Sequence, residues 1–368
     1  MWQKLYYSFD AKLPASTRSA FRKAVQFWQE NTCLDFEEND NPGAPRVHVV
    51  KGSGCSSYIG RIYSGDKVQQ LSLGEGCDTV GIAQHELAHA MGFFHEQSRH
   101  DRDAYLTLSL QNAQQAALYN FDKQTPELND NFGMPYDYGS VMHYGSTFFS
   151  ANGNPTMNAK DAVYQRTMGS QIPSHRDVWS MNTRYNCQAR CPSNSCQNGG
   201  FPNSRDCSRC ICPPGYSGDK CGTVGSWGNA CSMLKFYDVS NPTVRLSGSD
   251  VWNGSQPRHL RVEFGDGIYS AREEFLNCAF PFHTAANLRV RMKLTDFKLN
   301  AWGAGCPYGG AEFKLKKDTR LTGTRSCHPD DVGLSVVSEQ EYILLLVHSK
   351  YGMQRFDIYV DTVPAPSG

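Results

Sequence analysis

No stretch of this chain is apolar for long enough to cross a bilayer. The longest clear run, Tyr342 to Val347, falls far short of the ~20 residues a membrane helix needs. Net charge is missing too: Lys plus Arg number 36 and Asp plus Glu 36. Nothing overall steers the chain toward nucleic acid or an anionic membrane. The start, Met1-Trp2-Gln3-Lys4, has neither the apolar core nor the cleavage site of a secretory leader. It reads as the trimmed start of a secreted chain with Met1 an added initiator. Cysteine is not scarce. The 14 cysteines are even in number and clustered in spacing, which points to an oxidising, extracellular setting. At 368 residues the chain is longer than one compact domain usually needs.

The informative stretch is His85-Glu86-Leu87-Ala88-His89-Ala90-Met91-Gly92-Phe93-Phe94-His95. A helix from about Thr79 to Met91 puts His85 and His89 one turn apart on one face. Neutral imidazoles so placed can hold a zinc ion at about 2.0–2.1 Å per nitrogen. Glu86 projects beside them, where it can take a proton from an attacking water. Gly92 can adopt positive φ, end the helix and turn the chain back. His95 then returns as a third ligand. Three protein ligands leave one position open, the catalytic rather than the structural zinc pattern. A bare H-E-x-x-H arises by chance in a chain this long at the level of roughly a few per cent. The added Gly and His cut that by roughly several hundred. The longer string followed by a Met-turn is the metzincin signature, and Ser140-Val141-Met142-His143-Tyr144 supplies the Met-turn.

The continuation His95-Glu96-Gln97-Ser98-Arg99-His100-Asp101-Arg102-Asp103, with Tyr136-Asp137-Tyr138-Gly139-Ser140-Val141-Met142-His143-Tyr144, resembles the astacin family over roughly Trp2 to Cys187. The resemblance implies a secreted zinc endopeptidase holding one Zn2+ per chain. It implies that Tyr144 is a weak, displaceable fifth ligand that donates a hydrogen bond to the forming oxyanion. Met142 would form an apolar floor beneath the metal. Glu96 would meet the buried N-terminus of the mature chain. By alignment to Trp2 this chain starts short of that terminus, so Glu96 is expected to lack its usual partner. The resemblance also implies two bridges, Cys33–Cys187 and Cys55–Cys77. Spacing alone does not fix connectivity.

Local patterns predict a strand over residues 1–10 and a helix capped by Ser16 or Thr17 and running to about Glu30. Its buried face would be Phe21, Ala24, Val25 and Trp28. Further strands are predicted at Arg46–Val50, Ser57–Ile62 and Lys67–Leu73. For the last, the resemblance favours an edge to which an extended substrate adds over an ordinary paired strand. After His95 periodicity fades until Ser174-His175-Arg176-Asp177, a capping box that opens a helix to about Tyr185. The irregular stretch fits a lower subdomain that walls a cleft.

Cys191 to Cys221 reads C-x4-C-Q-N-G-G-x6-C-x2-C-x-C-P-P-G-Y-S-G-D-K-C. So short a piece must be held by bridges. It looks like an EGF-like module, which implies Cys191–Cys207, Cys196–Cys210 and Cys212–Cys221. Gln188-Ala189-Arg190 lacks the acidic pair of calcium-binding versions, so no calcium is expected there. From Cys231 to about Asp361 short alternating strands predict an all-β sandwich, among them Leu288–Leu294, Phe313–Lys317, Tyr342–Val347 and Arg355–Val360. This looks like a CUB domain, with Cys231–Cys278 and Cys306–Cys327 as bridges. Pro307-Tyr308-Gly309 stands where calcium-binding versions tend to be acidic, so no calcium is expected here either. Asn253-Gly254-Ser255 is the only glycosylation sequon with an allowed middle residue. Thr362–Gly368 reads as a linker or cut end.

The expected architecture is therefore α+β. A two-subdomain metzincin protease with a mixed twisted sheet and a zinc-binding helix fills residues 1–187. An EGF-like module follows over 188–222 and a CUB sandwich over 231–361. Metal ligands are His85, His89 and His95, the general base is Glu86, and the oxyanion donor is Tyr144. Substrates would be extracellular proteins or peptides, with matrix or glycan contacts through the CUB unit. Arg61 is a candidate partner for an acidic residue after the cut. His48, His100, His143, His175, His259, His283, His328 and His348 show no ligand spacing and read as structural or surface. Arg289–Lys293 and Lys314–Lys317 read as solvated strand faces in preference to a glycan patch. The competing class is an inactive binding protein acting through its EGF-like and CUB modules. Such scaffolds usually lose a ligand or the glutamate, and this chain keeps all four. An exopeptidase would need a group that captures a chain terminus, for which there is no signal.

Overall fold

The computed structural model describes residues 1–65, 67–193, 195–225, 227–270, 272–299 and 301–366. The N-terminal part is built on a five-stranded sheet of β1 (Lys4–Phe9), β2 (Asp35–Glu38), β3 (Arg46–Val50), β4 (Cys55–Ser57) and β5 (Val68–Leu73), in the order β2-β1-β3-β5-β4. Only the β4–β5 pair is antiparallel. Helix α1 (Ala15–Asn31) buries Phe21, Ala24, Val25 and Trp28 against this sheet, as its spacing predicts. Helix α2 (Val80–Ala90) packs into the same core through Leu87 and Met91.

Three local expectations give way here. The α1 N-cap position is Pro14, with no side-chain cap, because the helix starts earlier and Thr17 is buried inside it. The Ser57–Ile62 strand ends at Ser57, and Tyr58, Ile59 and Ile62 stay exposed with no facing layer to cover them. β5 is not an edge. The chain reverses after β4, so β5 lies between β3 and β4, and the free edge belongs to β4. Within β5, Gln69, Leu71 and Leu73 are buried.

The chain from Glu96 to Tyr164 is largely irregular, with short 3-10 turns and one small pair of β6 (Leu106–Leu108) and β7 (Met157–Ala159). Helix α3 (His175–Arg184) then opens on the Ser174–Asp177 capping box. Cys33–Cys187 and Cys55–Cys77 bridge this part.

Residues 191–221 carry three bridges, Cys191–Cys207, Cys196–Cys210 and Cys212–Cys221. Little else is regular there. β8 (Phe201–Asn203) pairs with β9 (Asp206–Ile211), and β10 (Tyr216–Ser217) with β11 (Thr223–Val224).

The C-terminal part is a two-sheet antiparallel sandwich. One sheet holds β12 (Lys235–Asp238), β13 (Asn241–Leu246), β14 (Arg258–Phe264), β16 (Leu288–Lys298), β19 (Ser335–Val337) and β21 (Gln354–Pro364). The other holds β15 (Leu276–His283), β17 (Gly309–Lys314), β18 (Thr324–Ser326) and β20 (Tyr342–Ser349). Cys231–Cys278 and Cys306–Cys327 are bridged. Val262, Phe264, Leu345, Val347, Phe356 and Ile358 fill the space between the sheets. Two boundaries differ from expectation. β21 runs to Pro364 because residues 288–290 pair with 362–364, so the C-terminal linker shrinks to its tip, and residues 367–368 lie outside the described ones. β17 spans Gly309–Lys314 rather than Phe313–Lys317. Lys314 is buried and donates to the Thr319 carbonyl at 2.7 Å, and Lys316 pairs with Glu339 at 3.0 Å, so this strand offers no open basic face.

Candidate metal centre

Helix α2 is stopped at both ends by its own sequence. The Thr79 hydroxyl accepts from the Ile82 amide at 3.3 Å, and Gly92 follows the helix at φ 102°. A methyl group on Gly92 would have to displace the Arg184 guanidinium, 2.4 Å away, and it is the positive φ that requires glycine. The turn brings His95 back over the helix face.

Nε2 of His95 lies 3.2 Å from Nε2 of His85 and 3.0 Å from Nε2 of His89. The other ring nitrogens are engaged: Nδ1 of His85 donates to the Val141 carbonyl at 2.7 Å, and Nδ1 of His89 to the Phe93 carbonyl at 2.7 Å. On those two rings the Nε2 lone pair is therefore left for a cation. Burial pushes all three imidazoles below their ordinary range, His89 to about 3, so they are neutral near pH 7. Four tetrahedral donors about 2.05 Å from zinc would stand about 3.3 Å apart. The observed spacings fit such a cation and fit a larger one poorly. Among the described residues, His85, His89 and His95 are the only group of three or more His, Cys, Asp or Glu side chains placed to share a metal.

Glu86 is buried at 4% exposure, and its Oε2 has no hydrogen-bond partner. Burial pushes its carboxyl up to about 8. A carboxylate left unsatisfied beside three convergent imidazoles suits a group that accepts and returns a proton. The Tyr144 ring lies 4.2 Å from the His95 ring. Burial and the nearby Glu86 charge push its phenol up, so it stays a neutral donor. Met142 is buried in the core that also holds Leu87 and Met91 of α2.

The model matching residues 1–186, half of the chain, is that of Astacin, a family of peptidases. The chain belongs to the astacin family. Its cofactor is accordingly one zinc ion, and the fold of the N-terminal half is the metzincin one. This astacin is 38% identical over 350 residues to zinc metalloproteinase nas-31 of Caenorhabditis elegans, covering 94% of the chain and 53% of that protein. It is 39% identical over 328 residues to nas-27 of the same organism, covering 87% and 73%. The chain thus spans about half the length of nas-31. High choriolytic enzyme 1, a hatching enzyme zinc-protease from Oryzias latipes, is 33% identical, covering 50% of this chain and 89% of that one, with a TM-score of 0.45.

Around this astacin centre lies a shell that sequence patterns alone did not expose. Glu96, expected to lack the N-terminus as its partner, is engaged by other groups. It accepts from Arg99 Nη1 at 3.1 Å, from Arg176 Nη1, and from the Asp137 amide at 3.0 Å. Asp177 caps α3 and also holds the Met-turn, accepting from the Val141 amide at 2.8 Å and the Ser140 hydroxyl at 2.5 Å. Gln97 receives the Tyr144 amide at 3.0 Å. The capping box signalled Asp177 only as a helix start, and no local pattern marks its second role. The other histidines stay outside the metal group, and several have partners of their own. His143 meets Tyr136 at 2.7 Å, His175 the Gly199 carbonyl at 3.0 Å and His48 Ser8 at 2.9 Å.

Proposed function

We propose that this chain is a zinc-dependent endopeptidase acting on extracellular proteins. The carrying observation is the convergence of three imidazole Nε2 atoms, His95 within 3.0–3.2 Å of the other two, beside a buried carboxylate oxygen with no partner. His85, His89 and His95 would hold the zinc. When bound, zinc polarises the scissile carbonyl and makes water acidic enough to attack near neutral pH. Glu86 takes the proton from the attacking water and passes it to the leaving amine. The Tyr144 phenol donates to the carbonyl oxygen as it gains charge. Val141 and Phe93 carbonyls fix the ring planes of His85 and His89.

The free edge of β4 supports a peptide laid as an added strand. Arg61, exposed on the segment that follows it, would face an acidic residue after the cut. Residues 1–187 would form the protease domain, 188–222 an EGF-like module and 231–361 a CUB domain. The three-bridge pattern and the two-sheet sandwich support the latter two. These modules would seat the enzyme on substrates or partners. Seven disulfides with no free cysteine among the described residues support secretion, and Asn253, exposed in a turn, would carry the glycan.

The test is a zinc-to-protein ratio combined with cleavage of a peptide library with and without a chelator. Internal cleavage that stops on chelation and returns with zinc is expected. A folded protein that binds zinc but leaves every peptide intact would favour the inactive binding protein.

A further inference from the structure

The segment between β17 and β18 leaves the sandwich and reaches the Met-turn. The Thr322 amide donates to Asp137 Oδ1 at 3.2 Å, and its hydroxyl donates to Asp137 Oδ2 at 3.2 Å. Asp137 is 1% exposed. Its Oδ1 also accepts from the Gly139 amide at 3.1 Å, and its own amide donates to Glu96. A methyl on Gly139 would stand 2.3 Å from Thr322 Cγ2, so the two segments meet with no slack. A few residues on, the same turn presents the Val141 carbonyl to His85 and then Tyr144.

The segment is itself held rigidly. Gly323 N and Arg325 Nε donate to the two oxygens of buried Glu312, each at 2.9 Å. Arg325 also reaches across to the N-terminal part, its amide to Thr167 Oγ1 at 2.9 Å and Nη1 to Ser170 Oγ at 2.7 Å. Thr319 donates to the Asn198 carbonyl in the three-bridge unit at 2.7 Å. Surface loops ordinarily move. This one is tied to both other parts of the chain.

We propose that Thr322 is a positioning residue for the active site, contributed by the C-terminal sandwich: it holds Asp137, and through Asp137 the backbone that orients His85 and Tyr144. The inference rests on the peptidase reading above. Without its hydroxyl, the Asp137 carboxylate loses a buried donor and the turn gains freedom. Displacements of about 1 Å at a catalytic group can cost on the order of 100-fold in rate.

Thr322→Val keeps the shape and the amide but removes the hydroxyl. In the zinc-loaded full chain, amides of residues 136–144 should exchange about tenfold faster while α1 amides keep the parent rate. On a peptide substrate kcat should fall about tenfold with KM within about twofold. Thr322→Ser should restore both. Arg166→Ala, which breaks the Arg166–Asp331 pair (3.0 Å) at the same junction, should change neither. Thr322→Ala gives the same readings if the valine variant does not fold. Parent-like exchange or parent-like kcat in the folded variant overturns the proposal, as does an equal speeding of α1 exchange. If the parent itself cleaves no peptide, the peptidase reading fails, and the exchange measurement alone decides whether Thr322 holds the turn.

Discussion

The carbonyl oxygen of Val141 sits 2.7 Å from Nδ1 of His85, across 56 residues of sequence. One helix imidazole is thus oriented by the turn that also carries Met142 and Tyr144. The turn is held in its place by Asp177 from α3 and by Asp137 against Thr322. The proposed ligand set and the proposed oxyanion donor therefore share one support, and substitutions should separate chemistry from support.

Glu86→Gln removes the proposed base while keeping the side-chain shape. Peptide cleavage should fall by about 10²–10⁴ in kcat, with the zinc-to-protein ratio unchanged. Retained cleavage at the parent rate would assign the proton transfer elsewhere.

Tyr144→Phe deletes the hydroxyl proposed to act only as charge develops. We expect kcat to drop by about 10²–10³ with KM nearly constant. An equal rise in KM with kcat intact would instead make Tyr144 a substrate-binding group.

Glu96→Gln leaves buried Arg176 without its carboxylate and leaves Arg99 paired to Asp101 alone. Breaking a buried pair from one side costs about 3–5 kcal/mol. Denaturant unfolding should show that loss, and a change below about 1 kcal/mol would mean that Arg176 finds another acceptor.

Burial alone would push the Glu312 carboxyl up, but Arg325 at 2.9 Å and His348 hold it well below the usual carboxylate range. A carboxyl whose folded pKa is depressed stabilises fully above its unfolded value and loses that contribution as pH falls toward the folded one. The gap in melting temperature between the parent and Glu312→Gln should thus be full above about pH 4.3 and close as pH drops below it. A gap that stays constant down to about pH 2 would show that Glu312 is not ionised in the folded state.

What the sequence determined by itself is local or nearly so. The three- and four-residue intervals of His85, Glu86 and His89 set a helix face, and Gly92 allows the turn that returns His95. Thr79 and Ser174 cap the starts of helices through hydrogen bonds spanning a single turn. The tertiary structure decided which strand is the edge, because order in a sheet depends on where the chain reverses, and Ser57–Ile62 looks strand-like with nothing to pack on. It also decided that Glu96 has two arginines, that Asp177 holds the Met-turn, that Lys314 points inward, and that Thr322 reaches Asp137. Those contacts join residues up to 185 positions apart. No periodicity reports them, since buried charges are satisfied by whichever partner the packing brings near.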